Sequence, residues 1–208
     1  MYTIEQFLHG HNSELRCQAI ELPYAGKNVS MFILLPEQGS NLSQLEDKLT
    51  SADLVNVEEK FSMRPSKVKL WLPRFKLDER LSLAKMLERM GMRDVFTGDA
   101  DLSGIDGTMD LFVSKVVHQA VVEVNEEGTE AAAATAVISM TKSRPLVFNF
   151  RADRPFLFFI QHKATKSIVF LGRLVKPPSS VKSAAPLMST VAVATAFLAA
   201  LMPLLVWT

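Results

Sequence analysis

"EEGTEAAAATAV", residues Glu126–Val137, is the stretch on which the reading of this chain turns. Four alanines, Ala131–Ala134, run together among glycine, threonine and glutamate. Alanine has the best helix propensity, so propensity alone predicts a short surface helix. An Ala-rich linker fits the composition as well. The flanks argue for something else. Leu111–Asn125 has a period of two, with Val116, His118, Ala120, Val122 and Val124 on one face and Lys115, Gln119 and Glu123 on the other. Leu146–Phe150, on the far side, also reads as a strand. A segment nearly without side chains therefore joins two strands.

Outward from there the periodicities alternate between strand and helix. Asn28–Pro36, "NVSMFILLP", reads as a buried strand closed by proline, and "ELRCQAIELPY" before it as its hairpin partner. "NLSQLEDKL" predicts a helix capped by Asn41, with Gln44 three residues on as in a capping box and Leu42, Leu45 and Leu49 on one face. "SKVKLWLPRF" places Val68, Leu70 and Leu72 on one side of a strand and Lys67, Lys69 and Trp71 on the other. Leu83, Met86, Leu87 and Met90 form the stripe of a second helix ending at Gly91. "PFLFFIQHKATKSIVFLGRL" predicts two apolar strands joined by a polar turn at Lys163–Lys166. Strands pairing with near neighbours, plus a few helices, predict an α+β fold of mixed, mainly antiparallel sheets.

Composition narrows the function classes. The chain has 208 residues, about half of them hydrophobic (48%), which is enough for a sizeable core and too apolar for disorder. A net charge of +1, with the basic residues dispersed, gives no footprint for nucleic acid. Cys17 is the single cysteine, so no intrachain disulfide forms. His9 and His11 supply two imidazoles but nothing completes a metal shell, and no cofactor or metal is expected. There is no phosphate-binding loop and no nucleophile elbow, so the chain does not read as an enzyme. Asn28-Val29-Ser30 and Asn41-Leu42-Ser43 are glycosylation sequons. "MYTIEQFLHGHN" lacks the basic start and apolar run of a signal peptide. Ala184–Thr208 carries no charge, and its apolar run, residues 186–207, is long enough to cross a bilayer. A membrane helix, a lipid-anchor signal processed near Ser179, Ser180 or Ser183, and translated non-coding sequence are the alternatives for it, with Pro186 and Pro203 weakening a helix.

Four stretches in order, "DLSGI" (Asp101–Ile105), "SKVVHQAVVEVNEEGTEAAAAT" (Ser114–Thr135), "FNFRADRPFLFFI" (Phe148–Ile160) and "IVFLGRLVKP" (Ile168–Pro177), resemble the C-terminal portion of a serpin. The resemblance covers residues 1–178 and leaves 179–208 outside the family pattern. The unbroken small-residue hinge resembles that of arthropod serpins, tick ones included. By this resemblance residues 126–147 are the reactive-centre loop, which a protease attacks as substrate and which then enters the main sheet as an extra strand. The hinge would comprise Glu126, Gly128, Thr129, Glu130, Ala131, Ala132, Ala133, Ala134 and Thr135. In the family register Thr129, Ala131, Ala133, Thr135 and Val137 turn inward, and all are small or apolar. A charge at such a position would be buried unpaired at a cost of several kcal/mol, on the order of that for any unpartnered ion.

Family spacing from Gly128 puts the scissile bond at Lys142–Ser143, with Arg144 as a second candidate and Met140 as a weaker one suited to a chymotrypsin-like enzyme. Lys142 implies a trypsin-like target with an aspartate at the base of its pocket. His118 is expected as a buried histidine that helps control opening of the sheet. The resemblance further implies a secreted, extracellular glycoprotein, with heparin or another glycosaminoglycan as a partner in some members. A complete serpin is longer, with N-terminal helices and further strands of the main sheet. The expectation is therefore a partial chain whose loop can be cut but whose trap does not close; a truncated or carrier-type serpin is the alternative.

Overall fold

The computed structural model describes residues 1–125 and 146–176. Nine strands, β1 (Tyr2–Asn12), β2 (Cys17–Pro23), β3 (Val29–Pro36), β4 (Arg64–Trp71), β5 (Phe75–Ser82), β6 (Val117–Val124), β7 (Val147–Arg151), β8 (Phe156–His162) and β9 (Ser167–Leu174), fall into two sheets. One has seven strands in the order β7-β4-β1-β2-β3-β8-β9, and the other pairs β5 with β6. Five short helices, α1 (Leu42–Lys48), α2 (Ser51–Val55), α3 (Val57–Lys60), α4 (Ala84–Arg89) and α5 (Ser103–Asp106), complete the described elements with one 3-10 turn. The α+β expectation holds. By contacts the chain forms two compact units, Met1–Phe75 with the chain from Glu123 onward, and Lys76–Val122.

In the first unit the centre is aromatic. Phe32 on β3 stacks on Phe159 of β8 at 5.1 Å, and helices α1 to α3 lay Leu42, Leu45, Leu54 and Val57 over that face beside Cys17, Ala19 and Phe61. On the opposite face Ile20, Ile33 and Phe158 are as deeply buried, with Phe75 tilted against Phe158 at 5.6 Å. Two-sided burial explains why β3 and β8 read as near-continuous apolar runs. Asn41 caps α1 as expected, accepting from the N–H groups of Ser43 (2.6 Å) and Gln44 (3.4 Å). The full capping box lies instead at α2, between Thr50 and Asp53. Cys17 is fully buried, and burial pushes its thiol pKa far up, so it stays an inert apolar filler.

β1 is the strand that sequence periodicity did not announce. Its first part, Tyr2–His9, pairs antiparallel with β4, and its last part, His9–Asn12, pairs with β2. Its outer half, Tyr2–Phe7, alternates between exposed and half-buried residues, His9 and Gly10 are buried, and His11 is exposed again, so its alternation changes midway. Gly10 makes the change of partner possible, because a Cβ there would overlap the Phe61 carbonyl oxygen and press on Met63. That carbonyl cannot retreat, since it accepts the His11 N–H at 2.9 Å.

At the handover His9 is 8% exposed. Its ring lies 5.1 Å from Phe148 and edge-on to Phe150 at 6.2 Å, both on β7, and its Nε2 has no hydrogen-bond partner. Burial lowers its pKa below the usual 6.5; a hydrogen bond with the Gln18 side chain pulls the other way, and nearby His11 lowers it further. His11 itself is exposed and lies 2.6 Å from Glu37, so the two imidazoles do not converge.

In the second unit β5 and β6 run together, joined by Gln119 Nε2 donating to Asp78 at 2.8 Å. β6 is shorter than expected: Leu111–Val116 is irregular, and Val113 donates its N–H to the Val95 carbonyl. The strand paired with β6 is β5, Phe75–Ser82. Pro73, which has no N–H to give a ladder, stands between β4 and β5. Leu83, Met86, Leu87 and Met90 are half-buried while Lys85, Glu88 and Arg89 are exposed, as the stripe predicts, and Gly91 follows α4 at φ 103°.

Two outcomes follow. Gly10→Ala should destabilise the chain by about 3 kcal/mol, the upper range for forced overpacking, read as a lowered denaturation midpoint. Unfolded His9 titrates near 6.5 and accepts a proton that the folded ring resists; stability is whole above that pH and is lost as pH falls through the lower folded value. His9→Phe keeps the ring packing and removes the titration, so the drop in melting temperature between about pH 7.5 and 5 should shrink. An unchanged profile would show that the His9 ring is not the group responsible.

Candidate functional site

The hinge residues Glu126, Gly128–Thr135 and the bond Lys142–Ser143, with Arg144, lie outside the described residues, as does the tail from residue 177. What the structure describes is how the two ends of that segment are held. The upstream end leaves β6 at Asn125. The downstream end re-enters at Leu146, which is 82% exposed, and becomes β7 one residue later.

β7 is firmly anchored. It lies parallel to β4 over five Cα partners, from Lys67 opposite Val147 to Trp71 opposite Arg151. Phe150 is fully buried, and Phe148 covers the His9 ring. Just beyond, Ala152 donates its N–H to the Trp71 carbonyl at 2.9 Å. Arg154 Nε donates to the Pro36 carbonyl at 2.6 Å, which ties the turn between β7 and β8 to the end of β3. The chain then passes into β8 and β9 at the heart of the sheet.

β6 is held on one side. Its ladder is with β5, and among the described residues no strand lies along its other edge. Ala120, Val122 and Val124 are half-buried, but Val117, His118 and Val121 are exposed. His118 is therefore not the buried histidine expected from its place in the alternation: a two-stranded ribbon has too little covering to bury both its faces.

The remaining sequence candidates sort readily. In the Asn28 sequon Ser30 is fully buried and its Oγ donates to Glu21 at 2.6 Å. In the Asn41 sequon the asparagine side chain is occupied as the α1 cap. Around the "DLSGI" stretch Asp101 accepts from the Ser103 N–H and hydroxyl, and these hydrogen bonds lower its pKa. Among the described residues no group of three or more His, Cys, Asp or Glu gathers as metal ligands, and no helix is long and apolar enough to cross a membrane.

Comparison with known proteins gives this geometry a lineage. The family model described as "Serpin (serine protease inhibitor)" matches residues 1–177. Leukocyte elastase inhibitor of Bos taurus is 47% identical over 181 residues, covering 85% of this chain and 48% of that protein. Serpin B3 of Homo sapiens is 47% identical over 166 residues, covering 79% and 42%. Among solved structures, uncleaved ovalbumin superposes with a TM-score of 0.70 at 36% identity, covering 85% of this chain and 44% of that one. Maspin gives 0.72 at 30% identity, covering 85% and 47%. The chain spans about half the length of the curated relatives it matches. Both of these curated relatives are mammalian, and the arthropod likeness expected from the hinge is not borne out. On a family match running from its first residue to Pro177, the chain belongs to the serpins.

Proposed function

We propose that this chain carries the reactive-centre half of a serpin that inhibits serine proteases, and that a trypsin-like enzyme cuts it at Lys142–Ser143. The observation that carries the reading is the composition of Thr129–Val137. Every position that a strand would turn inward there is small or apolar, and Glu130 falls between two of them, where it can face water. Such a segment can enter a sheet without burying a charge. Lys142 then matches a specificity pocket with an aspartate at its base. On this reading the protein works outside the cell, where its target is secreted.

A second reading of specificity has its own support. The relatives named leukocyte elastase inhibitor point to an enzyme with a small or apolar pocket. For such an enzyme Met140 becomes the candidate recognition residue. Inhibition, on either reading, needs the cut segment to gain a strand neighbour on both sides. β6 offers it a place, but the described β5–β6 pair supplies no strand beyond.

Incubation of the 208 residues with trypsin should therefore give a new N-terminus at Ser143, and no adduct that survives SDS. Lys142→Ala should slow that cut roughly ten-thousandfold, the scale on which a site built around a polar partner rejects an analogue that lacks it. The two pieces should still migrate together on a native gel, because β3 and β8 lie on opposite sides of the cut and remain paired. Cleavage by leukocyte elastase at Met140 with Lys142–Ser143 left intact would favour the second reading, and an SDS-resistant adduct would show that a one-sided sheet suffices to trap.

A further inference from the structure

The end of the seven-stranded sheet where β3 and β9 finish and β8 begins holds a cavity that the loop reading does not use. Its volume is about 460 Å³, within the ordinary range for small-molecule sites. Pro36, Pro155 and Val175 give it apolar walls, and Ser40, Arg154 and Arg173 give it polar ones. Two cations and, among the described residues, no carboxylate line the space. The carboxylates that steady the arginines lie outside the wall: Asp153 is 3.1 Å from Arg154 Nη1, and Glu46 is 3.1 Å from Arg173 Nη1. Arg154 Nε donates to the Pro36 carbonyl. Two buried donors are left over. The Ser40 hydroxyl and Arg173 Nε have no hydrogen-bond partner among the described residues. A buried polar group left unpaired costs stability, and such groups are few in a folded domain. Here two of them belong to the wall of one cavity. Packing does not account for the pair, whereas an acceptor entering from the cavity satisfies both.

We propose that this cavity binds a small organic anion. Its oxyanion head, a carboxylate or a phosphate monoester, accepts from Arg173 Nε, the Ser40 hydroxyl and Arg154. Its body, about the size of one ring, lies against Pro36, Pro155 and Val175. A guanidinium presents its N–H donors in a planar fork that matches such a head. The ion pairs with Glu46 and Asp153 each engage Nη1, so they hold the forks in place and leave Nη2 of both arginines for the ligand. Ser40 follows β3, Arg154 precedes β8 and Arg173 lies near the end of β9, so a bound anion ties together the ends of three strands. The site does not depend on which bond of the loop is cut.

Four compounds test it by calorimetric titration of the 208-residue chain at low ionic strength. Phenyl phosphate and benzoate carry both head and body; inorganic phosphate lacks the body and phenol lacks the head. Phenyl phosphate or benzoate should bind once per chain with Kd below about 1 mM, an ordinary efficiency for a ligand of that size, and the two fragments at least about tenfold more weakly. Ser40→Ala removes a hydroxyl that bonds nothing in the fold, so the melting temperature should hold or rise while affinity falls about tenfold. Arg173→Lys keeps a cation beside Glu46 but loses the fork, and should weaken binding to a similar degree. Lys48→Gln on α1, outside the cavity, should leave it unchanged. No binding of phenyl phosphate or benzoate by about 10 mM, a Kd too weak for a built site, would overturn the proposal. So would binding that survives both Ser40→Ala and Arg173→Lys at full strength, since the anion then sits elsewhere. Inorganic phosphate binding as tightly as phenyl phosphate would also sink it, because the apolar walls would then contribute nothing.

Discussion

The ladder between β3 and β8 is the interaction on which the rest of the structure depends. It pairs Val29 through Leu34 with His162 through Leu157, residues more than 120 positions apart in sequence, and so binds the chain before the loop to the chain after it. The stacked Phe32 and Phe159 rings hold one face of that ladder, while Ile33 opposite Phe158 holds the other. Such pairing is costly to find, because a long loop must close before any contact rewards it. A cut between Asn125 and Leu146 leaves that ladder paired, because β3 and β8 lie on opposite sides of it.

Much of this was legible from side-chain pattern alone. β2, β3, β8 and the capped α1 announce themselves because each has one largely consistent environment along its length. Elements that change environment midway do not. β1 alternates between exposed and half-buried residues from Tyr2 to Phe7, dips to a buried pair at His9–Gly10 and returns to an exposed residue at His11, so no single period describes it, and only the close approach at Gly10 explains how one strand serves two partners. The alternation over Ser66–Phe75 ran through a proline that divides two strands of different sheets. His118 shows the limit from the other side: period two places a residue on a face correctly, but whether that face is covered depends on neighbours that the local sequence does not name. The burial of His9 was not legible for the same reason: the fold surrounds it with the rings of β7 residues distant in sequence.

The two ends of the loop segment are held unequally, and that inequality bears on how the proposed insertion could run. Downstream, β7 has a buried phenylalanine, a parallel ladder and an arginine tie to the end of β3. Upstream, β6 has one strand partner among the described residues and a half-covered face. Any rearrangement after a cut should therefore begin at β6, where few contacts must be broken, while β7 keeps its piece in place.

The energetics of that rearrangement clarify what the small residues do. A buried methyl contributes about 0.8 kcal/mol, so the alanines and threonines of the hinge bring little hydrophobic gain each. Fixing the backbone of each inserted residue costs about 1–2 kcal/mol. Side-chain burial in the hinge does not cover that cost, so the hinge composition cannot be the driving force. The gain has to come from new ladder hydrogen bonds on both edges of the entering strand and from covering apolar groups already in the sheet, such as the exposed Val117 and Val121 beside it. In the proposed insertion, the small residues of Thr129–Val137 therefore act as a permission: they leave the sheet's own unsatisfied edge and face to supply the free energy. It follows that the strength of the trap is set by the strands flanking the insertion site.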